Sequence, residues 1–113
     1  MKFYLIGAAL PNPLVNLAQF NQAQKELEAH GHTVENIMYH AGWHEFEPQR
    51  CIAYRLALML KCEAVFVLPG WQEDGVSELE FIVAINARLS LYKAIQTIIP
   101  GAIKFGNFPF RYL

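Results

Sequence analysis

Four carboxylates fall within eight residues, directly after one of the most apolar runs of the chain. They are Glu73, Asp74, Glu78 and Glu80, in the segment LPGWQEDGVSELE. Two carboxylates beside an aromatic side chain could cleave a glycosidic bond, because one can attack the anomeric carbon while the other handles the leaving group's proton. The first question is therefore which of them could be reagents and which are solvated charges.

The positions of Glu78 and Glu80 in the predicted helix place their carboxylates on different sides of it. If a helix begins near Val76, its residues follow at about 100° intervals, and Glu78 points to solvent while Glu80 does not. Glu80 shares the stripe that should face a sheet with three apolar residues, Leu79, Val83 and Ala87. A carboxylate on a buried face must be paired or have a chemical task.

Capping offers another explanation for the same residues. Ser77 and Glu80 have the spacing of a capping box, in which the glutamate bonds to the serine backbone amide. Asp74, next to Gly75, could cap the helix or form a turn. Both the capping and the chemical interpretations stay open on the residues alone.

Aromatic and histidine side chains surround the predicted strand ends. Trp71 could stack on a flat ligand ring or cover the core. His40 and His44 are four residues apart, but Ala41 and Gly42 argue against a helix between them and no third ligand is evident. We expect no metal site and no cofactor here, and we expect the loop aromatics to form a lid: Tyr39, Trp43 and Phe46.

The elements that must position these residues alternate between strand and helix. Apolar runs predict strands at 2–7, 32–37, 64–68 and 93–98, and helical spacing predicts helices at 14–30, 49–61 and 76–90. We expect one α/β domain over residues 1–113, with a parallel sheet of four to five strands and an aromatic tail at 98–113. Ligands bind at the carboxyl ends of such strands.

Composition narrows the classes of partner. The 113 residues suit one domain, and a net charge of -1 provides no basic field for nucleic acid. No apolar run approaches the roughly 18 residues of a membrane span, and the N-terminal run reads as a strand rather than a signal peptide. Cys51 and Cys62 would lie about 16 Å apart in one helix, too far for a disulfide. We expect a reduced, cytoplasmic protein without nucleic-acid or membrane partners.

Several segments together resemble the nucleoside 2-deoxyribosyltransferase-like superfamily, over about residues 2–98. They are residues 4–7 (YLIG), 31–34 (GHTV) and 60–71 (LKCEAVFVLPGW), with Asn16, Phe20, Asn21, Glu80, Ala84 and 89–91 (LSL). The chain is most similar to the small bacterial and phage branch that carries LPGW after its third strand. The resemblance implies a flavodoxin-like Rossmannoid three-layer sandwich. It also implies N-glycosidic cleavage or transfer on a 2′-deoxyribonucleoside or its 5′-monophosphate.

The resemblance also implies roles for individual residues. Glu80 falls on the family's nucleophile, Asp74 on the partner position six residues earlier, and Tyr4 on a first-strand tyrosine near the nucleophile. The turn at Gly7 corresponds to the loop for sugar or phosphate. The other candidate substrate-binding residues lie near the predicted strand ends or in the helices beside them: Ala8, Asn16, Asn36, Arg55, Gly70, Trp71 and Ser77.

Arg55 departs from the family pattern. The family carries at this position, seven residues before Cys62, an aspartate that helps to hold and protonate the base. An arginine here could be a surface residue or pair with a nearby glutamate. Inside the site it could pair with Glu80 or Asp74, or bind a phosphate bidentately. Pairing with Glu80 would lower the pKa of that carboxyl and weaken it as a nucleophile.

Two further departures affect the turns. Residues 76–77 (VS) replace the small Gly-Ala pair that usually precedes the nucleophile helix, and Ala8 replaces a proline common in the branch. The first change would crowd a phosphate approaching those amides.

Two functional hypotheses follow, and Arg55 separates them. If its guanidinium points away from Glu80, N-glycosidic chemistry is favoured; if it occupies the base pocket, a non-catalytic nucleoside- or nucleotide-binding or sensing module is favoured. A phosphoribohydrolase is a weaker alternative, because the loop at 69–72 (PGWQ) lacks the glycine needed for close phosphate approach.

A homodimer or larger homo-oligomer is also expected. The resemblance implies it, and the third helix carries a second apolar group opposite the sheet, namely Phe81, Ile85 and Leu89.

Overall fold

The computed structural model describes residues 1–9, 16–94 and 102–104. The strands are β1 (Lys2–Ile6), β2 (Thr33–Glu35), β3 (Ala64–Val67), β4 (Ser90–Ala94) and β5 (Ala102–Lys104). The helices are α1 (Leu17–Ala29), α2 (Pro48–Met59) and α3 (Gly75–Asn86). Short 3-10 turns lie at Ile37–Tyr39, Trp43–Glu45 and Trp71–Glu73.

The strands form one sheet in the order β2-β1-β3-β4-β5. The first four are parallel, and β5 pairs antiparallel with β4. This is the flavodoxin-like strand order. Right-handed crossovers place α1 on one face and α2 with α3 on the other, which makes three layers. The predicted α/β flavodoxin-like fold is confirmed, and four strands are parallel where four to five were predicted.

The two central strands carry the core. β3 is buried along its whole length and β1 along all but its first residue, as the apolar runs predict for strands covered on both faces. Phe3 packs edge-on against Phe66 and Tyr92, with ring centroids 6.3 and 5.3 Å away. Since side chains alternate along a strand, Tyr4 points to the opposite face, where α2 and α3 lie.

The fourth strand is not where the sequence pattern placed it. We predicted 93–98, but β4 runs from Ser90 to Ala94 and pairs with β3 from Ser90 onward. The reason is that α3 ends at Asn86 and Arg88 takes a left-handed conformation with φ 61°, which turns the chain early. Residues 95–98 lie outside the described part of the chain, as does most of the predicted tail at 98–113 apart from β5.

The buried face of α3 also differs from the prediction. Its buried residues are Ser77, Glu80 and Ala84, while Leu79 is 37% exposed. Compared with the predicted stripe, this face is rotated by roughly 80° about the helix axis. Apolar residues lie on almost every side of α3, so the apolar pattern does not determine which side faces the sheet. Polar contacts determine it. The second apolar group, Phe81, Ile85 and Leu89, packs partly against the core.

In the described ranges, no helix has both the length and the apolar character needed to cross a membrane.

The helix α2 begins at Pro48, as the position of this proline in the sequence predicts.

Candidate functional site

Five polar side chains meet between the sheet and the α2–α3 layer, and we call them the buried cluster. β1 supplies Tyr4, α2 supplies Arg55, and the start of α3 supplies Asp74, Ser77 and Glu80. None is more than 4% exposed. Tertiary structure thus brings together all three residues predicted as catalytic and two of those predicted to bind substrate.

Asp74 joins the start of α3 to the segment after β1. As the N-cap, it accepts a hydrogen bond from the Val76 backbone N–H at its Oδ1, with a length of 2.9 Å. Its Oδ2 accepts from the Ala9 backbone N–H at 3.1 Å. The capping-box alternative is therefore wrong for Ser77 and Glu80, because Asp74 caps the helix and leaves the Glu80 side chain for another contact.

Ser77 and Gly7 hold α3 against the carboxyl end of β1. The Ser77 hydroxyl donates to the Gly7 carbonyl at 2.5 Å. A Cβ added to Gly7 would lie 2.8 Å from the Phe20 ring and 3.0 Å from the Leu68 side chain. Glycine is therefore needed here for close packing of α1 and β3 on the end of β1.

Arg55 lies at the centre of the buried cluster. Its Nε donates to Oε2 of Glu80 at 3.2 Å, and its Nη2 donates to Oε1 at 3.1 Å. Its Nη1 donates to Oδ2 of Asp74 at 3.1 Å, and Nη2 also reaches the Ser77 hydroxyl at 3.3 Å. This is the bidentate fork expected of a buried arginine with a carboxylate. The surface alternative for Arg55 is wrong.

Two aromatic residues, Tyr4 and Trp43, also contact the Arg55–Glu80 pair. The Tyr4 hydroxyl donates to Oε2 of Glu80. The Trp43 ring lies beneath the guanidinium, with 5.5 Å between Cζ of Arg55 and the ring centroid, a cation–π distance. Trp43 is 1% exposed. The cation is thus enclosed by carboxylates on one side and an indole on another.

The charges of the cluster depend on one another. Burial lowers the pKa of Arg55, but Glu80, Tyr4 and Asp74 raise it by more, so the guanidinium remains a cation. Burial and the Glu80 charge raise the pKa of Tyr4, so its hydroxyl remains a donor. Burial raises the pKa of Glu80, and Arg55 opposes this effect without cancelling it. Pairing with Arg55 thus lowers the pKa of Glu80, as predicted, but burial is the larger effect and the pKa is raised overall.

This geometry leaves Glu80 poorly placed for nucleophilic attack. Both of its carboxylate oxygens accept hydrogen bonds from Arg55, and one also accepts from Tyr4. The side chain is 1% exposed. A nucleophilic oxygen must approach the reacting carbon to about 3–3.5 Å, which the present arrangement prevents unless Arg55 moves.

Two residues predicted to bind substrate, Asn16 and Asn36, make local hydrogen bonds. Asn16 donates from Nδ2 to the Ala8 carbonyl at 2.7 Å, which ties the start of α1 to the segment after β1. The Asn36 side chain accepts from the Met38 N–H at 3.0 Å and donates to Gln24 at 2.9 Å. Asn36 therefore shapes the turn after β2 and does not join the buried cluster.

The loop after β3 carries Trp71, which we predicted could stack on a flat ligand ring or cover the core. Gly70 adopts a left-handed conformation with φ 80° and begins the 3-10 turn that carries Trp71. The Trp71 ring is half-buried and tilts against Phe81 of α3, with centroids 4.8 Å apart. One side of the indole thus packs on the protein.

A second polar group, formed by Glu35, His40 and Tyr54, was not predicted. The His40 ring contacts Oε2 of Glu35 at 2.7 Å and the Tyr54 hydroxyl at 2.6 Å. These residues come from a strand, a loop and a helix, so no local spacing in the sequence signals the contact.

Fold and cluster together define a flavodoxin-like α/β protein with a buried ionic cluster beside the carboxyl end of its first strand. A family described as "Domain of unknown function (DUF4406)" matches residues 1–93, and the chain belongs to this family. Comparison with curated proteins gave no match, and neither did comparison with solved structures.

Proposed function

We propose that this chain is a non-catalytic nucleoside- or nucleotide-binding module with the fold of the 2-deoxyribosyltransferase-like proteins. The observation that carries the proposal is the Arg55 fork on Glu80, with N–O distances of 3.1 and 3.2 Å. The fork satisfies the carboxylate that the resemblance assigns as the nucleophile, so Glu80 holds Arg55 in place instead of attacking a sugar.

The position of the buried cluster supports a binding role. Apolar side chains of similar volume often fill such a space at equal or lower free energy than a buried ion pair. A charged cluster beside the carboxyl end of a central strand is therefore more readily explained by a ligand site than by packing. The resemblance indicates the ligand class, a deoxyribonucleoside or its monophosphate. An arginine suits the phosphate of a monophosphate.

N-glycosidic cleavage is the alternative, and a specific observation favours it. Tyr4 and Asp74 lie in the same network as Glu80, as the catalytic roles implied by the resemblance require. Arg55 would have to leave Glu80 before attack. Asp74 would then assist departure of the base, and water or a second base would release the sugar.

A paired experiment separates the two functions. The protein is mixed with each common deoxynucleoside and 5′-monophosphate, thermal unfolding is recorded, and free base is measured by chromatography at high protein concentration. Binding at 100 times Kd would stabilise the fold by about 2.7 kcal/mol. We expect stabilisation without base release. Base released by the wild type and not by Glu80→Gln would establish the enzyme instead.

Matched variants locate any binding. Trp71→Ala removes the half-buried ring next to the end of β3, whereas Gln72→Ala changes an exposed neighbour in the same turn. We expect the first variant to lose the ligand-dependent shift and the second to keep it. If no nucleoside or nucleotide stabilises the wild type, the binding proposal is wrong.

A further inference from the structure

Residues 37–46 lie within the connection between β2 and α2, and we call them the 37–46 segment. Ile37 and Trp43 anchor it and are each 1% exposed, whereas Tyr39 is 64% exposed. Trp43 lies beneath the Arg55 guanidinium, with 5.5 Å between Cζ and the ring centroid. Since Arg55 is itself 1% exposed, a ligand could contact it only after covering side chains move.

His40 fastens this segment to elements on both sides. Its Nε2 lies 2.7 Å from Oε2 of Glu35 in β2, and its Nδ1 lies 2.6 Å from the Tyr54 hydroxyl in α2. A neutral imidazole can donate from one nitrogen and accept at the other, so both bonds form at once. The His40 side chain retains 25% exposure, so solvent reaches the bridge from outside.

The bridge and the indole belong to the same short stretch of chain. Two residues separate His40 from Trp43, and one of them is Gly42 with φ 75°, which makes the turn between them. On the facing helix, Tyr54 immediately precedes Arg55. One movement of this stretch can therefore break the His40 bridge and carry Trp43 off the guanidinium.

We propose that the 37–46 segment is a lid over Arg55 and that His40 is its latch, closed by the bonds to Glu35 and Tyr54. An open lid exposes the guanidinium to an anionic or aromatic group, which for the proposed function is a nucleotide. The identity of that ligand rests on the proposed function. The opening of the lid does not, and it is tested without ligand.

The test measures local opening in two ways on the intact protein. Hydrogen exchange with mass spectrometry follows the amides of residues 37–46, and phenylglyoxal modification with peptide mapping follows the Arg55 side chain. Tyr54→Phe and Glu35→Met each remove one latch bond and keep much of the side-chain size. His30→Ala is the matched control, because this exposed histidine bonds to the Glu26 carbonyl at 2.9 Å on α1, away from the latch.

In the wild type, we expect the lid amides to exchange faster than the amides of β1 and β3. We also expect lid exchange and Arg55 modification to depend less steeply on urea than exchange in these strands does. Each latch variant should accelerate lid exchange and Arg55 modification together, by about fivefold to tenfold for one lost hydrogen bond. His30→Ala should leave both rates unchanged.

Three results would overturn the lid. In the first, the lid amides exchange at the rate of the β1 and β3 amides, and both lid exchange and Arg55 modification show the urea dependence of these strands, so that the lid opens only with global unfolding. In the second, the latch variants accelerate lid exchange without changing Arg55 modification, so that the two are not coupled. In the third, the latch variants change neither rate.

Discussion

Replacing Arg55 with methionine tests whether the buried cluster is an ion network on which the fold depends. Methionine keeps much of the chain length of arginine but removes the cation that pairs with Glu80 and Asp74, each at an N–O distance of 3.1 Å. Breaking a buried pair in this way costs about 3–5 kcal/mol, because charge remains buried without its partner. Total stabilities are about 5–15 kcal/mol, so the variant should fold with a reduced margin.

Urea unfolding followed by circular dichroism measures this loss. With an m value of about 2 kcal/mol/M, a loss of about 4 kcal/mol lowers the midpoint by about 2 M. Arg50→Met is the matched control in the same helix. Arg50 is exposed and lies over the Phe46 ring, 4.0 Å from its centroid. We expect this control to lose less than about 1 kcal/mol.

The free energy of unfolding that Arg55→Met loses should also depend on pH, and it should be larger at higher pH. Burial raises the pKa of Glu80 above its ordinary value of 4.5, and Arg55 opposes that rise. Without Arg55 the folded pKa climbs further. A carboxyl with a raised folded pKa contributes stability that is complete below its unfolded pKa and is lost as pH rises through its folded pKa. Arg55→Met should therefore lose more stability at about pH 8 than at about pH 5.

Two results would refute this reasoning about the cluster. One is a loss below about 1 kcal/mol, typical of an exposed pair. The other is a loss of equal size at both pH values. As an internal check, adding Glu80→Gln to Arg55→Met should recover part of the stability, since it removes one unpaired buried charge.

Three further predictions concern single side chains around the core. Gly7→Ala should lower the free energy of unfolding by about 1–3 kcal/mol in urea titrations, because its Cβ would lie 2.8 Å from an aromatic ring. Gly75→Ala, whose Cβ would meet nothing within 4 Å, should not destabilise the protein. Tyr4→Phe should lower the thermal midpoint by the equivalent of about 1–3 kcal/mol, because Glu80 loses a buried donor; an unchanged midpoint would contradict that bond. Burial raises the pKa of Cys62 to about 11 and also raises that of Cys51. Neither thiol should react with a disulfide reagent near neutral pH until urea unfolds the chain; rapid native reaction would contradict their burial.

Local patterns in the sequence predicted most of the framework. A continuous apolar run predicts the strand β3, and a proline at the first turn predicts the start of α2. Both signals act over a few residues. Asp74 and Glu80 could also be singled out from the sequence. Asp74 lies where a helix is expected to start, and Glu80 is a charged residue on a face that is expected to be buried. Their meeting with Tyr4 requires β1 and α3 to be adjacent, which the predicted parallel sheet implies.

Other features depend on contacts between distant segments and could not be obtained this way. The phase of α3 is one example: its apolar residues lie on nearly every side, and the bonds of Ser77 to Gly7 and of Glu80 to Arg55 orient it. The start of β4 is another, because it follows from the early end of α3 at Asn86.

The sequence by itself therefore determined the α/β class and the two carboxylates most worth testing, since periodicity and helix capping are local properties. Only the tertiary structure decided what Glu80 contacts. Arg55 is 25 residues away along the chain, yet its guanidinium donates to both Glu80 oxygens. A charge buried on one element must find its partner on another. Which partner it finds depends on how α2 and α3 pack over the sheet, and not on the residues beside it.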